Sequence, residues 1–204
     1  MAAQAGPDAI LIPKVESAAM LADAAERMIA AGAPDHTMIW AMMETPAGIL
    51  NAAAIAAHPR IAGFVMGTND LAKDLNSRSR AALMTSLQLC MLAAKAAGIV
   101  ALDGVYNAFK DEDGLRAECA EGRDMGFDGK TLIHPAQLAV ANAAFSPSEE
   151  EAETARRQIA AFEETEAAGQ GVAVVDGKIV ENLHVATARE TLAKLEAIAA
   201  LQSE

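Results

Sequence analysis

Five short, almost unbroken apolar runs constrain this chain more than any other feature. They cover residues 9–12, 37–43, 61–66, 99–102 and 130–133. A strand with one solvated face alternates apolar and polar residues. These runs do not alternate, so both faces are expected to be buried, as in a parallel sheet covered by helices. The run ends, Ile12, Met43, Met66, Leu102 and Ile133, fall 23 to 36 residues apart, the repeat of a strand–helix unit. The stretches between them read as helices. Ser17 is placed to cap one that stops at Gly32 and Pro34, Pro46 opens one over 47–57, Gly98 closes one over 79–97, and another covers 112–125. The expected class is α/β. A barrel and a doubly wound sheet both fit, and in either the chemistry gathers in loops at the carboxyl ends of the strands.

Composition narrows the partners. The chain has 204 residues with 28 acidic and 16 basic side chains, a formal charge of −12. A nucleic-acid backbone demands a basic face, so that class is excluded, although a local pocket for an anionic ligand is not. Hydrophobic residues make up 52%, enough for a sizeable core, so disorder is excluded. Cys90 and Cys119 lack metal-ligand spacing and read as buried thiols of a reducing compartment. No apolar run approaches the ~20 residues of a membrane span. The first 17 residues lack the basic and apolar regions of a signal peptide. A cytoplasmic protein without membrane partners is expected.

The character changes after Phe145. Ser146-Pro147-Ser148 followed by three glutamates reads as a helix start, and that helix runs to about Ala168. Gly169-Gln170-Gly171 breaks it. Residues 172–180 read as a hairpin turning on Asp176-Gly177, and a last helix covers 185–201. The expected organisation is a strand–helix domain over 1–145 and an accessory extension, a lid or oligomerisation arm, over 146–204.

Candidate chemistry sits at the strand ends. Glu44 and Asp70 close consecutive units, and neighbouring strands lie ~5 Å apart, so two hard carboxylates are placed to converge on one Mg²⁺. The competing reading has Asp70 capping the helix that follows and Glu44 paired with a surface lysine. Gly67 and Gly48 permit close backbone approach, so N–H groups after Met66 are candidate carboxylate donors, with ordinary turn chemistry as the alternative. Lys14 either faces the site or snorkels on the surface. His134 is either a ligand contact or a hydrogen-bonded structural residue, whereas His36 and His58 precede strands and read as structural. Glu181 and His184 flank the hairpin, where a lid residue enters a site. No dinucleotide fingerprint, phosphate-binding P-loop or nucleophile elbow is present.

Five segments occur together in a family order: Ile12-Pro13-Lys14-Val15-Glu16-Ser17, Met43-Glu44-Thr45-Pro46-Ala47-Gly48, Gly67-Thr68-Asn69-Asp70-Leu71-Ala72, Leu102-Asp103-Gly104-Val105-Tyr106 and 126–135 (GFDGKTLIHP). They resemble the citrate lyase beta-subunit-like branch of the HpcH/HpaI aldolase superfamily, which includes malyl-CoA lyases and related thioesterases. The resemblance implies a (β/α)₈ TIM barrel with a C-terminal helix–hairpin–helix lid, in trimers or hexamers whose lid serves a neighbouring subunit. It implies that Glu44 and Asp70 hold Mg²⁺ and that Glu44, Gly67, Thr68 and Asn69 bind substrate. The implied reaction is cleavage of a malyl-CoA or citramalyl-CoA type 3-hydroxyacyl-CoA to an α-keto acid and an acyl-CoA.

Two departures qualify that expectation. Glu181 stands where lyases of the family carry a catalytic Asp in the lid. The extra methylene displaces the carboxylate by ~1 Å, enough to cost ~10²-fold in a proton transfer. It favours instead a water aimed at the thioester, so malyl-CoA hydrolysis is the alternative activity. Family members also have about three further strand–helix units before the Pro-Lys strand, holding an Arg that clamps the substrate carboxylate, and no residue here matches it. About five of eight barrel strands are expected in this chain. A fragment of a longer product that is not catalytic on its own is the third reading.

Overall fold

The computed structural model describes residues 3–169 and 172–202, so Gln170 and Gly171 of the expected helix break, and the first two residues of the leader reading, lie outside the described residues. Five parallel strands pair in chain order: β1 (Ala9–Ile12), β2 (Met38–Met43), β3 (Ile61–Met66), β4 (Val100–Asp103) and β5 (Gly129–Lys130). Between them run α1 (Ala18–Ala30), α2 (Pro46–Leu50), α3 (Ala52–Ala56), α4 (Thr68–Asp74), α5 (Met84–Ala97) and α6 (Glu112–Asp124), and α7 (Leu138–Phe145) follows β5. The strand order never reverses. A doubly wound sheet requires a reversal, so that alternative falls. Right-handed crossovers in a single direction put the connecting helices on one face.

Register shows which face that is. Ile12, Ala41, Phe64 and Ala101 align across β1 to β4, and the last three are fully buried beside Leu21, Ile55 and Leu87. The neighbouring row, Leu11, Trp40, Gly63 and Val100, lies on the other face, and Leu11 and Val100 are exposed. The expectation of two buried faces is therefore corrected. Only the helix-covered face is sealed in this chain, and β2 alternates buried with half-buried residues along its length. Trp40 covers part of the second face by lying over Gly63, where a Cβ would come within 3.0 Å of the indole.

Local chemistry sets the element ends. The Ser17 and Thr45 hydroxyls accept from the N–H groups of Met20 and Gly48, which caps α1 and α2. Gly98 ends α5 in the left-handed conformation, φ 69°. The expected helix over 47–57 is broken at Asn51, whose carboxamide donates to the Glu16 carbonyl instead. The expected helix over 79–97 begins as a 3₁₀ turn, Arg80–Leu83. Cys90 and Cys119 are buried free thiols, and burial pushes Cys90 up to about 12, which makes it inert as a nucleophile.

The chain divides after Phe145 into two units, Met1–Phe145 and Ser146–Glu204. In the second, a Ser148–Glu151 capping box starts α8 (Glu149–Ala167), β6 (Ala173–Val175) and β7 (Lys178–Val180) pair antiparallel, and α9 (Asn182–Gln202) follows. Asp176 and Gly177 both take positive φ, 51° and 75°, as a two-residue hairpin turn requires. Arg157 grips Asp176 with two bonds of 2.8 Å, and Ala173, Val180 and Val185 pack with Phe162 beneath the hairpin. Among the described residues no helix is long and apolar enough to cross a membrane.

Candidate metal site

Glu44 immediately follows β2 and is 3% exposed. Its Oε1 accepts a 2.8 Å hydrogen bond from the backbone N–H of Lys14, just beyond β1. Asp70, in the first turn of α4, lies near enough for its charge to act on Glu44, and Lys14 touches both carboxyls. The Lys14 ammonium lies 3.5 Å from Asp70 Oδ1. Three consecutive strand ends thus deliver two carboxyls and one cation to one place. Asp70 does not cap α4, because Gly67 holds the cap position without a side-chain bond. The partner of Glu44 is a backbone amide of Lys14, so the surface-pair reading of Glu44 falls as well.

Burial is the first cause that lifts the Glu44 carboxyl above its ordinary value. The charge of Asp70 and a hydrogen bond shared with it act in the same direction, against the Lys14 N–H and ammonium. Two acidic groups held this close, one of them buried, favour either a shared proton or a cation. Among the described residues no group of three His, Cys, Asp or Glu side chains is arranged to hold a metal ion, so this is not the closed ligand cage of a structural zinc site. Two hard oxygen donors with open directions fit Mg²⁺, which retains several waters and takes few protein ligands.

Gly67 is present for space. A Cβ there would sit 2.4 Å from Glu44 Cβ and 2.7 Å from its Oε2. Its N–H is spent on the Met43 carbonyl at 3.1 Å, so of the expected backbone donors only those of Thr68 and Asn69 remain, in the first turn of α4 where helix geometry supplies no acceptor. The Asn69 carboxamide pairs reciprocally with that of Asn107 at 2.7 and 3.2 Å. Both residues line a cavity of about 420 Å³ with Arg78, Tyr106 and Glu118. His134 makes structural contacts: Nδ1 accepts from Ala136 N–H, and the ring stacks on Phe109 at 4.6 Å. His36 bonds the Gly6 carbonyl, and His58 accepts from the Arg60 N–H. In the second unit, Glu181 stands exposed beside α9, its N–H held by His184 Nδ1 at 2.9 Å, and lines a cavity of about 370 Å³ with Phe162, Glu166 and Ile179.

A second ionic cluster escaped the sequence reading. Asp103, the last residue of β4, is fully buried and receives both terminal nitrogens of Arg80 at 3.0 Å, Lys130 Nζ at 2.9 Å and the Gly104 N–H at 2.8 Å. Lys130 also reaches Glu118 at 2.6 Å, and Arg80 bonds Glu121. The available signal was Asp103 at a strand end, alongside Glu44 and Asp70. Its partners, 23 and 27 positions away, have no local pattern to mark them.

A one-directional parallel sheet with two carboxyls brought together at its strand ends defines an α/β protein with an acidic strand-end site. The HpcH/HpaI aldolase/citrate lyase family profile matches residues 1–135, and the chain belongs to that family. It is 67% identical to the (3S)-malyl-CoA thioesterase of Cereibacter sphaeroides, across 98% of this chain and 70% of that protein. It is 33% identical to the citrate lyase subunit beta of Escherichia coli, across 94% and 66%. The crystal structure of CitE from Mycobacterium tuberculosis, in complex with magnesium, acetoacetate and coenzyme A, superposes with a TM-score of 0.72 at 28% identity, over 92% of this chain and 68% of that one. The chain thus spans about two thirds of the length of these relatives.

Proposed function

We propose that this chain carries the metal-binding portion of a Mg²⁺-dependent enzyme that hydrolyses a malyl-CoA type thioester. The observation that carries the reading is the meeting of Glu44 and Asp70, from consecutive strand ends, in a donor set suited to Mg²⁺. Hydrolysis is preferred over carbon–carbon cleavage because of the 67% identity to a (3S)-malyl-CoA thioesterase and because Glu181 stands at the lid position. In this reading the five strands are an arc of a (β/α)₈ barrel. The second unit is a lid given to a neighbouring copy in a trimer or hexamer.

When bound, Mg²⁺ supplies a Lewis acid and a template for the substrate's oxygens. The chain's own residues do the rest. Glu44 and Asp70 hold the cation, with Glu44 oriented by the Lys14 N–H and given room by Gly67. The N–H groups of Thr68 and Asn69 receive the substrate's carboxylate. Glu181 accepts a proton from water as its oxygen attacks the thioester carbonyl. The carbon–sulfur bond breaks, Glu181 passes that proton to the departing CoA thiolate, and the acyl group leaves as malate.

The second reading, cleavage to glyoxylate and acetyl-CoA, is favoured by the likeness to the citrate lyase subunit beta. Incubating the 204-residue chain with malyl-CoA and Mg²⁺ separates the two. Malate with free CoA is expected. Glyoxylate with acetyl-CoA replaces the first reading by the second, and neither product leaves a non-catalytic chain.

A further inference from the structure

Lys14 meets the acidic pair at both of its ends, in two different ways. Its backbone has φ 51°, a left-handed conformation unfavourable for a residue with a side chain. That turn aims the N–H at Glu44 Oε1 and leaves the ammonium beside Asp70. The first contact is short and falls on a buried carboxyl. The second is long, 3.5 Å, between side chains 57% and 44% exposed. Among the described residues no other cation contacts either carboxyl. Two acids with one ammonium remain short of charge balance, and the ammonium is held only as firmly as a surface ion pair.

We infer that Lys14 is a displaceable counter-ion of the Glu44–Asp70 pair, whose ammonium occupies the cation position loosely and lowers the site's affinity for a divalent metal. The inference rests on the metal reading of that pair. The N–H bond to Glu44 remains while the ammonium swings into solvent as Mg²⁺ takes the carboxylates. Lys14 therefore weakens metal binding through its charge and supports it through its backbone. It is a positioning residue, not a ligand.

The test is calorimetric titration of the metal-stripped 204-residue chain with MgCl₂, which requires no turnover. Lys14→Met removes the charge and keeps the strained backbone. Lys14→Gly removes the charge and relieves the strain, which protects against a folding defect. Both are expected to bind Mg²⁺ about fivefold more tightly, the ratio set by losing one half-exposed ion pair. Lys14→Arg restores wild-type affinity to within about twofold. Unchanged or weaker binding by Lys14→Met, or tightening by Lys14→Gly alone, overturns the inference, because charge is then not the cause. Asp70→Asn is the control. It loses at least about tenfold in affinity if the pair is the metal site, and equal binding by Asp70→Asn and wild type removes the metal reading itself.

Discussion

Two carboxylate clusters occupy neighbouring strand ends of one sheet, and they are balanced in opposite ways. Asp103 at the end of β4 is completely buried, and four donors fill its oxygens, including a two-pronged Arg80 and Lys130. The Glu44–Asp70 pair, one and two strands earlier, has a single backbone amide and a half-exposed ammonium. A buried charge is tolerated where its partners are complete, and removing one partner strands the others. The saturated cluster therefore locks the fold, while the undersaturated one keeps oxygens without donors among the described residues, as the proposed cation site requires. The same residue type at equivalent places in the repeat serves different ends because of the number of donors around it.

The severest way to break this contrast is Asp103→Ala. It leaves Arg80 and Lys130 facing a void and is expected to cost ~3–5 kcal/mol of stability, read from urea denaturation. A loss under ~1 kcal/mol would place Asp103 with the receptive pair. Glu44→Gln and Asp70→Asn are expected to do the reverse: thioester hydrolysis falls at least ~100-fold while stability moves by no more than ~1 kcal/mol. If either variant unfolds as Asp103→Ala does, the distinction between lock and receptor fails.

A finer probe uses pH. The Glu44 carboxyl is raised above its ordinary 4.5 in the fold, so between those two values the native state holds more protons than the unfolded one. Its contribution to stability is favourable at low pH and is lost as pH rises through the raised value. In EDTA, the Tm of Glu44→Gln relative to wild type is therefore expected to climb with pH across that window and then level off. A flat difference would mean that neither burial nor Asp70 disturbs Glu44. The smallest effect expected is that of Glu181→Asp, which leaves stability unchanged and shifts products from malate toward glyoxylate with acetyl-CoA. An unchanged ratio would show that the length of that carboxylate does not choose between the two reactions.

The sheet was legible because its strands are continuous apolar runs, and the placing of Glu44 and Asp70 followed from their position just after them. Other features depended on contacts between distant segments. The fifth strand stops at Lys130, earlier than its apolar run suggests, because β4 ends at Asp103: the Thr131 N–H makes the last ladder bond, to the Asp103 carbonyl, and among the described residues no partner strand continues beyond it. The open face carrying Leu11 and Val100 was hidden because an apolar run looks the same whether or not its second face is covered. The Arg80–Asp103–Lys130 cluster exists only once β4 and β5 lie side by side. Lys14 remained ambiguous because its significance lies in a backbone angle, which side-chain patterns do not encode.

Gly48 extends the comparison to a place far simpler than either cluster. A methyl carbon there would stand 2.3 Å from the Val15 carbonyl oxygen, so the turn leaving β1 rests directly against the first turn of α2. The unusual twist at Lys14 survives because the next residue has nowhere to retreat. Replacing one hydrogen at position 48 with CH₃ would lever that turn outward and withdraw the amide from Glu44, disarming the acidic pair without altering any of its members.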